Sequence, residues 1–271
     1  MTYVSTLENT TMLYKELIEF ARPKLEDFFK NVDTFDNQFT YDNLSEKYYD
    51  LMYIQNNYGT IRTVKELKQE IPELQALCKR CGNFFIKQRN NSNPKYDIIM
   101  GQQFENILID FLQYKFKFNV VHGDKRDKRY PDCMILRGDK GIVAYFEVKY
   151  HAAPFICAIN KINRYCYEGS ATLDYQKIIK QLEIIDSDIE RPVFYIHWID
   201  YPCLKGIFFE TSEQIKNYIY DSENLFERKE REGDAMKSPK SVYLKKIYSP
   251  LLYMGTFEEF IDKIQHLIKG A

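Results

Sequence analysis

The residues with the most chemical promise are Tyr130-Pro131-Asp132 and, fifteen positions after the aspartate, Glu147 within Ala144-Tyr145-Phe146-Glu147-Val148-Lys149. Side chains alternate along a β-strand, so Ala144, Phe146 and Val148 share an apolar face while Tyr145, Glu147 and Lys149 share the other. A strand this core-like normally excludes charge, because burying an unpaired carboxylate or ammonium costs several kcal/mol. Asp132 opens the preceding strand of the same expected hairpin and can lie beside Glu147. Glu105 stands three, four and seven positions before Leu108, Ile109 and Leu112, on the flank of a helical stripe. Two carboxylates ~4 Å apart repel by about 4 kcal/mol at an effective dielectric near 20. A hard divalent cation removes that repulsion, and oxygen ligands favour magnesium, with manganese as its substitute, over zinc.

Those side chains need a scaffold, and the pattern around them predicts one. Residues 101–116 read as a helix with Phe104, Ile107, Leu108, Phe111 and Leu112 on one stripe. Val120–Val121 begin a strand. Cys133–Leu136 and Ile142–Tyr150 form a hairpin about the turn Arg137-Gly138-Asp139-Lys140-Gly141. A second amphipathic helix is expected over 172–186, then strands over Val193–Ile199 and Lys205–Glu210. Thr211 with Gln214, and Thr256 with Glu259, have capping-box spacing and open two further helices. Residues 1–95 show helical periodicity only, with Tyr14, Leu17, Ile18, Ala21 and Leu25 on one face and Tyr48, Leu51, Met52 and Ile54 on another. Thr63 and Glu66 have the same capping spacing, and Pro72 interrupts or ends that helix. The turn-rich Asn90-Asn91-Ser92-Asn93-Pro94 marks a boundary. The expectation is a helical region over 1–95, for DNA binding or dimerisation, and an α/β domain with a carboxy-terminal extension over 96–271.

Pro131-Asp132, the fifteen-position gap and Glu147-Val148-Lys149 resemble the signature of the PD-(D/E)xK nuclease superfamily, which includes many restriction endonucleases and Holliday-junction resolvases. Gly101-Gln102-Gln103-Phe104-Glu105 is similar to the acidic helix that precedes the motif in many members, and the likeness spans roughly residues 98–200. It implies a restriction-endonuclease-like core, a central mixed sheet flanked by helices. It implies that Asp132 and Glu147 hold magnesium with the backbone carbonyl of Val148, and that Glu105 binds a second metal or a metal-bound water. It assigns Lys149 to the attacking water and to charge in the transition state. Gln176 or Lys180 would orient water or phosphate, although the chain departs from the Gln-x-x-x-Tyr pattern of one subgroup. The implied activity is a magnesium-dependent endodeoxyribonuclease of restriction or defence type, acting on DNA as a homodimer. A non-catalytic DNA-binding protein with a vestigial nuclease fold stays open beside it, as does a structure-specific or RNA nuclease.

Composition agrees with such a chain. It has 271 residues, 38 Lys+Arg against 39 Asp+Glu, and 15% aromatic residues, which excludes a disordered or purely electrostatic nucleic-acid wrapper. No run approaches the roughly 20 apolar residues of a membrane span. Glu8, Glu16 and Glu19 stand where a leader's apolar stretch would lie, so a cytoplasmic location is expected. Lys125, Arg126, Lys128 and Arg129 precede Asp132 and form a candidate phosphate-contacting loop, with a solvated loop as the alternative. Arg228 through Lys240 reads as a mixed-charge surface loop. Cys78 and Cys81 have the spacing of one zinc knuckle without a second close pair, so thiols are expected there rather than structural zinc. His122 and His151 flank the motif. No phosphate-cradling Gly-Lys-Ser/Thr loop and no Gly-x-Ser-x-Gly elbow is present.

Overall fold

The computed structural model of the chain describes residues 2–29, 64–87, 94–124, 126–138, 141–151, 170–201, 203–221, 224–229 and 243–270. Its helices are α1 (Thr2–Phe29), α2 (Val64–Glu70), α3 (Pro72–Lys87), α4 (Pro94–Phe116), α5 (Tyr175–Ser187), α6 (Ser212–Tyr220) and α7 (Phe257–Lys269). Its strands are β1 (Asn119–His122), β2 (Cys133–Leu136), β3 (Ile142–His151), β4 (Ser170–Asp174), β5 (Val193–Asp200), β6 (Lys205–Thr211), β7 (Leu225–Lys229), β8 (Tyr243–Pro250) and β9 (Gly255–Thr256).

The apolar face of β3 has to be covered by the core. Six strands build its sheet in the order β1-β2-β3-β5-β6-β9. β1, β2 and β3 form an antiparallel meander, and β5 then joins parallel to β3. A parallel neighbour requires a crossover, which contains α5. β6 and β9 complete the sheet in antiparallel pairing. The chain is thus mixed α/β, with a central mixed sheet flanked by helices.

One face of the sheet packs Ala144, Phe146 and Val148 against Phe104, Ile107, Leu108, Phe111 and Leu112 of α4 and Phe257, Phe260, Ile261 and Ile264 of α7. The stripe Tyr14, Leu17, Ile18, Ala21 and Leu25 of α1 lies in this same apolar cluster. The amino-terminal helix therefore covers the sheet, and its apolar face is spent on the core. The opposite face carries α5 and α6, whose Ile178, Leu182, Ile185 and Ile215 pack with Val193 and Tyr195.

Local chemistry sets most of the element ends. Gly138 and Gly141 take φ of 50° and 93° in the predicted β2–β3 turn, a region where other residues meet their own Cβ. Both predicted capping boxes form, Thr211 with Gln214 at α6 and Thr256 with Glu259 at α7. Pro72 opens α3 rather than ending its predecessor, which stops at Glu70; a first-turn proline lacks only an amide that the helix would leave unbonded. Pro94 likewise opens α4, ahead of the expected start at 101. The second amphipathic helix starts at Tyr175 and not at 172, because Asp174 caps it by accepting from the backbone N–H groups of Gln176 and Lys177. Residues 170–174 are instead β4, paired with β8, which pairs with β7 in a separate three-stranded sheet. The sequence pattern did not announce that sheet, since Lys245 and Lys246 interrupt the apolar run of β8. Thr63, the Tyr48–Ile54 stripe, the Asn90–Asn93 turn and most of the 228–240 loop lie outside the described residues.

Candidate active site

The antiparallel register pairs Cys133 with Phe146, which brings Asp132 beside Glu147 one step further along. Gly123 makes this approach possible. Its N–H donates to the carbonyl of Asp132 at 2.7 Å, and a Cβ on it would stand 2.5 Å from the carbonyl oxygen of Pro131. The backbone N–H of Asp132 in turn donates to Oε2 of Glu147 at 3.3 Å.

Glu147 is 1% exposed, and a carboxylate at that depth needs partners to stay charged. It has them. Lys149, two positions along the same strand face, bonds Oε1. Lys177 of α5 reaches the same oxygen at 2.9 Å. Gln181, one helical turn later, donates to Oε2 at 2.9 Å, and the hydroxyl of Tyr195 donates to Oε1 of Gln181 at 2.8 Å. Burial pushes the Glu147 carboxyl up, but the two ammonium groups outweigh it and hold the group down at about 2. Lys149 is shifted down by burial, with Lys177's charge adding to that and Glu147 opposing it. At Lys177 the carboxylates overcome the effect of burial and raise the group.

Asp132 has no such compensation. Burial first, then the charges of Glu147 and Glu105, outweigh Lys149 and Lys177 and push it up to about 6. Asp132, Glu147 and Lys149 thus meet as the strand pattern predicts. The charge balance differs from the expected three acids and one lysine, because Lys177 supplies a second ammonium and neutralises Glu147. The unmet negative charge sits at Asp132.

Glu105 is buried on α4 and faces His122, whose Nδ1 lies 2.9 Å from its Oε1. It reaches the acid pair through its charge on Asp132. Val148 turns its side chain into the core. Gln176 and Lys180, the expected auxiliary residues, are exposed on α5; Gln181 is buried, and Lys177, itself half-exposed, reaches Glu147 with its ammonium. The correction is one of helix phase. Gln181 lies three positions after Ile178 and four before Ile185, within the buried stripe, and that periodicity was the available signal.

In the basic loop, Lys125 lies outside the described residues. Arg126 and Arg129 are already engaged by carboxylates two positions earlier, Nη2 to Asp124 at 2.5 Å and to Asp127 at 2.6 Å. The hydrogen bonds from Arg126 hold Asp124 down at about 2. Lys128 is exposed. His151 meets His197 across the β3–β5 pair, Nε2 to Nδ1 at 3.0 Å, and Nε2 of His197 meets Oε1 of the buried Glu210 at 2.9 Å.

No family model and no curated protein matches the chain. Among solved structures, the Holliday junction resolvase Hjc of the archaeal hyperthermophile Archaeoglobus fulgidus is similar to it with a TM-score of 0.32 and 13% identity, covering 60% of this chain and 96% of that one. No helix among the described residues is long and apolar enough to cross a membrane.

Proposed function

We propose that the chain is a magnesium-dependent endodeoxyribonuclease of the PD-(D/E)xK type, hydrolysing DNA phosphodiester bonds in a cytoplasmic restriction or defence setting. The observation that carries this reading is the uncompensated Asp132 carboxyl beside the buried Glu147, with Lys149 on the same strand face. Two oxygen donors side by side, one of them pushed up to about 6 by burial and then by the neighbouring carboxylates, fit a hard divalent cation and not a soft one. Asp132 and Glu147, with the carbonyl of Val148, would hold magnesium or manganese, which would polarise the phosphate and acidify a water at the site. Glu105 acts on this acid pair through its charge on Asp132 and is not needed to hold the ion.

The chain's own groups do the rest. Lys149 is anchored by Glu147 and shifted down by burial, so it can take part in proton transfer from the attacking water and still place charge against the phosphate. Lys177, half-exposed at 50% of its side chain, can leave Glu147 for a phosphate oxygen as substrate and cation arrive. Lys128 and the neighbouring loop would add backbone contacts that position DNA without reading it. Cutting both strands with one site per chain calls for a homodimer or for two successive nicks.

The test is cleavage of duplex DNA in Mg²⁺ by Asp132→Ala, Glu147→Ala and Lys149→Ala. Each folded variant should lose the activity, and full activity in any of them overturns the proposal. The Lys177–Glu147 pair favours one second reading, a non-catalytic DNA-binding protein whose Glu147 is already neutralised. That protein would gain no thermal stability from millimolar Mg²⁺, whereas the enzyme gains it through linkage.

A further inference from the structure

Beside the acid pair lies a second group of potential ligands, drawn from three elements. His122 and Cys133 are direct partners across the β1–β2 ladder, so their side chains leave the sheet on the same face. α4 lays Glu105 across that face. His122, Glu105 and Cys133 each offer one ligand atom, and these atoms all lie within 4.8 Å of one another; Nδ1 of His122 and Oε1 of Glu105 are 2.9 Å apart. Bond lengths of about 2.0 Å to N and O and 2.3 Å to S give a tetrahedral zinc site edges of roughly 3.3–3.5 Å. The ligand atoms, at most 4.8 Å apart, would draw together to those edges on binding an ion.

We propose that Glu105, His122 and Cys133 form a zinc site separate from the oxygen site at Asp132 and Glu147. The donors are one carboxylate, one imidazole and one thiol, a set that magnesium disfavours and zinc accepts. Cys133 is 0% and Glu105 7% exposed, so both are shielded from solvent. The His122 side chain is 41% exposed and provides the way in from solvent. Three protein ligands leave a fourth position for water. The ion would pin α4 to the edge hairpin, and it would do so through the residue that directly follows Asp132. The inference rests on these three side chains alone, and the nuclease reading can fail without affecting it.

Cobalt(II) is the probe, added in excess Mg²⁺ to the full chain carrying Cys78→Ser and Cys81→Ser. A thiolate-to-cobalt charge-transfer band should saturate at one equivalent and be displaced by Zn²⁺. Cys133→Ser should remove the band. His122→Ala, a change at a partly exposed ring, should weaken cobalt binding by more than ~tenfold, the size that loss of even an outer partner produces, and should abolish thermal stabilisation by Zn²⁺. Asp132→Asn should keep the band while losing DNA cleavage. No band, a band that survives Cys133→Ser, unchanged affinity in His122→Ala, or loss of the band in Asp132→Asn overturns the proposal.

Discussion

Lys177 places its ammonium 2.9 Å from the Oε1 of Glu147, the same oxygen that Lys149 bonds. Two cations therefore converge on one oxygen of a buried carboxylate. One of them is fixed in the strand, and the other stands on a half-exposed helical arm that a divalent cation would have to displace.

Replacing that arm should reveal the competition. Lys177→Met keeps the stem and removes the charge, so apparent Mg²⁺ affinity should rise by roughly tenfold, ~1.4 kcal/mol, a value kept small because Lys177 is half solvated. Metal titration followed by thermal shift measures it. A weaker Mg²⁺ response would show that Lys177 assists the cation instead of competing with it.

Asp132 makes stability depend on pH in a direction unusual for a carboxylate. Its folded value of about 6 lies above its ordinary 3.8, so the folded protein binds the extra proton. The favourable contribution is present in full below about pH 4 and is lost as pH rises through 6. Glu147, held down at about 2 from 4.5, works oppositely, and its contribution disappears as pH falls from the mid-fours. Asp132→Asn should therefore raise metal-free stability at pH 8 by about 1–2 kcal/mol after screening and flatten the slope between pH 4 and 6. Below pH 6, protons should also compete with Mg²⁺ at Asp132, costing up to ~tenfold in affinity per pH unit. Urea denaturation and metal titration across this range check both signs.

Gln181 bridges Tyr195 to Glu147, and its loss takes the acceptor from the Tyr195 hydroxyl and one donor from Oε2 of Glu147. Gln181→Leu should cost about 1–3 kcal/mol in chemical denaturation, whereas Gln176→Ala or Lys180→Ala, exposed on α5, should stay within about 0.5 kcal/mol. An effect at Gln176 or Lys180 as large as that at Gln181 would contradict the helix phase described above.

That phase also marks where reading the sequence ran out. The order helix, three strands, helix, strand was legible because each element carries its own period. Asp132, Glu147 and Lys149 were legible because charge on one face of a core-like strand demands an explanation. The inward residues of α5 depend on where the helix starts, and that is set by Asp174 turning back as a cap, a choice that only the pairing of β4 with β8 makes plain. Glu105 presented itself as a third acid of the pair, yet its neighbour His122 comes from another strand and no spacing announces the contact. Arg126 and Arg129 looked available for phosphate until their intraloop aspartates were seen to hold them.

Gly123 tests how tightly the hairpin positions Asp132. A methyl group there meets the Pro131 carbonyl at 2.5 Å, so Gly123→Ala must push the Pro131-Asp132 segment away. Stability should fall by about 1–3 kcal/mol, and Mg²⁺ affinity should fall with it. An alanine variant with unchanged thermal stability and Mg²⁺ response would show that this approach does not position the site.

The most direct measurement is incubation of supercoiled plasmid with the purified chain, with and without Mg²⁺ or Mn²⁺, beside Asp132→Asn of confirmed fold. The account predicts nicked or linear DNA only when the unsubstituted chain and a divalent cation are both present. Intact plasmid under every metal condition, or equal cleavage by Asp132→Asn, would contradict it.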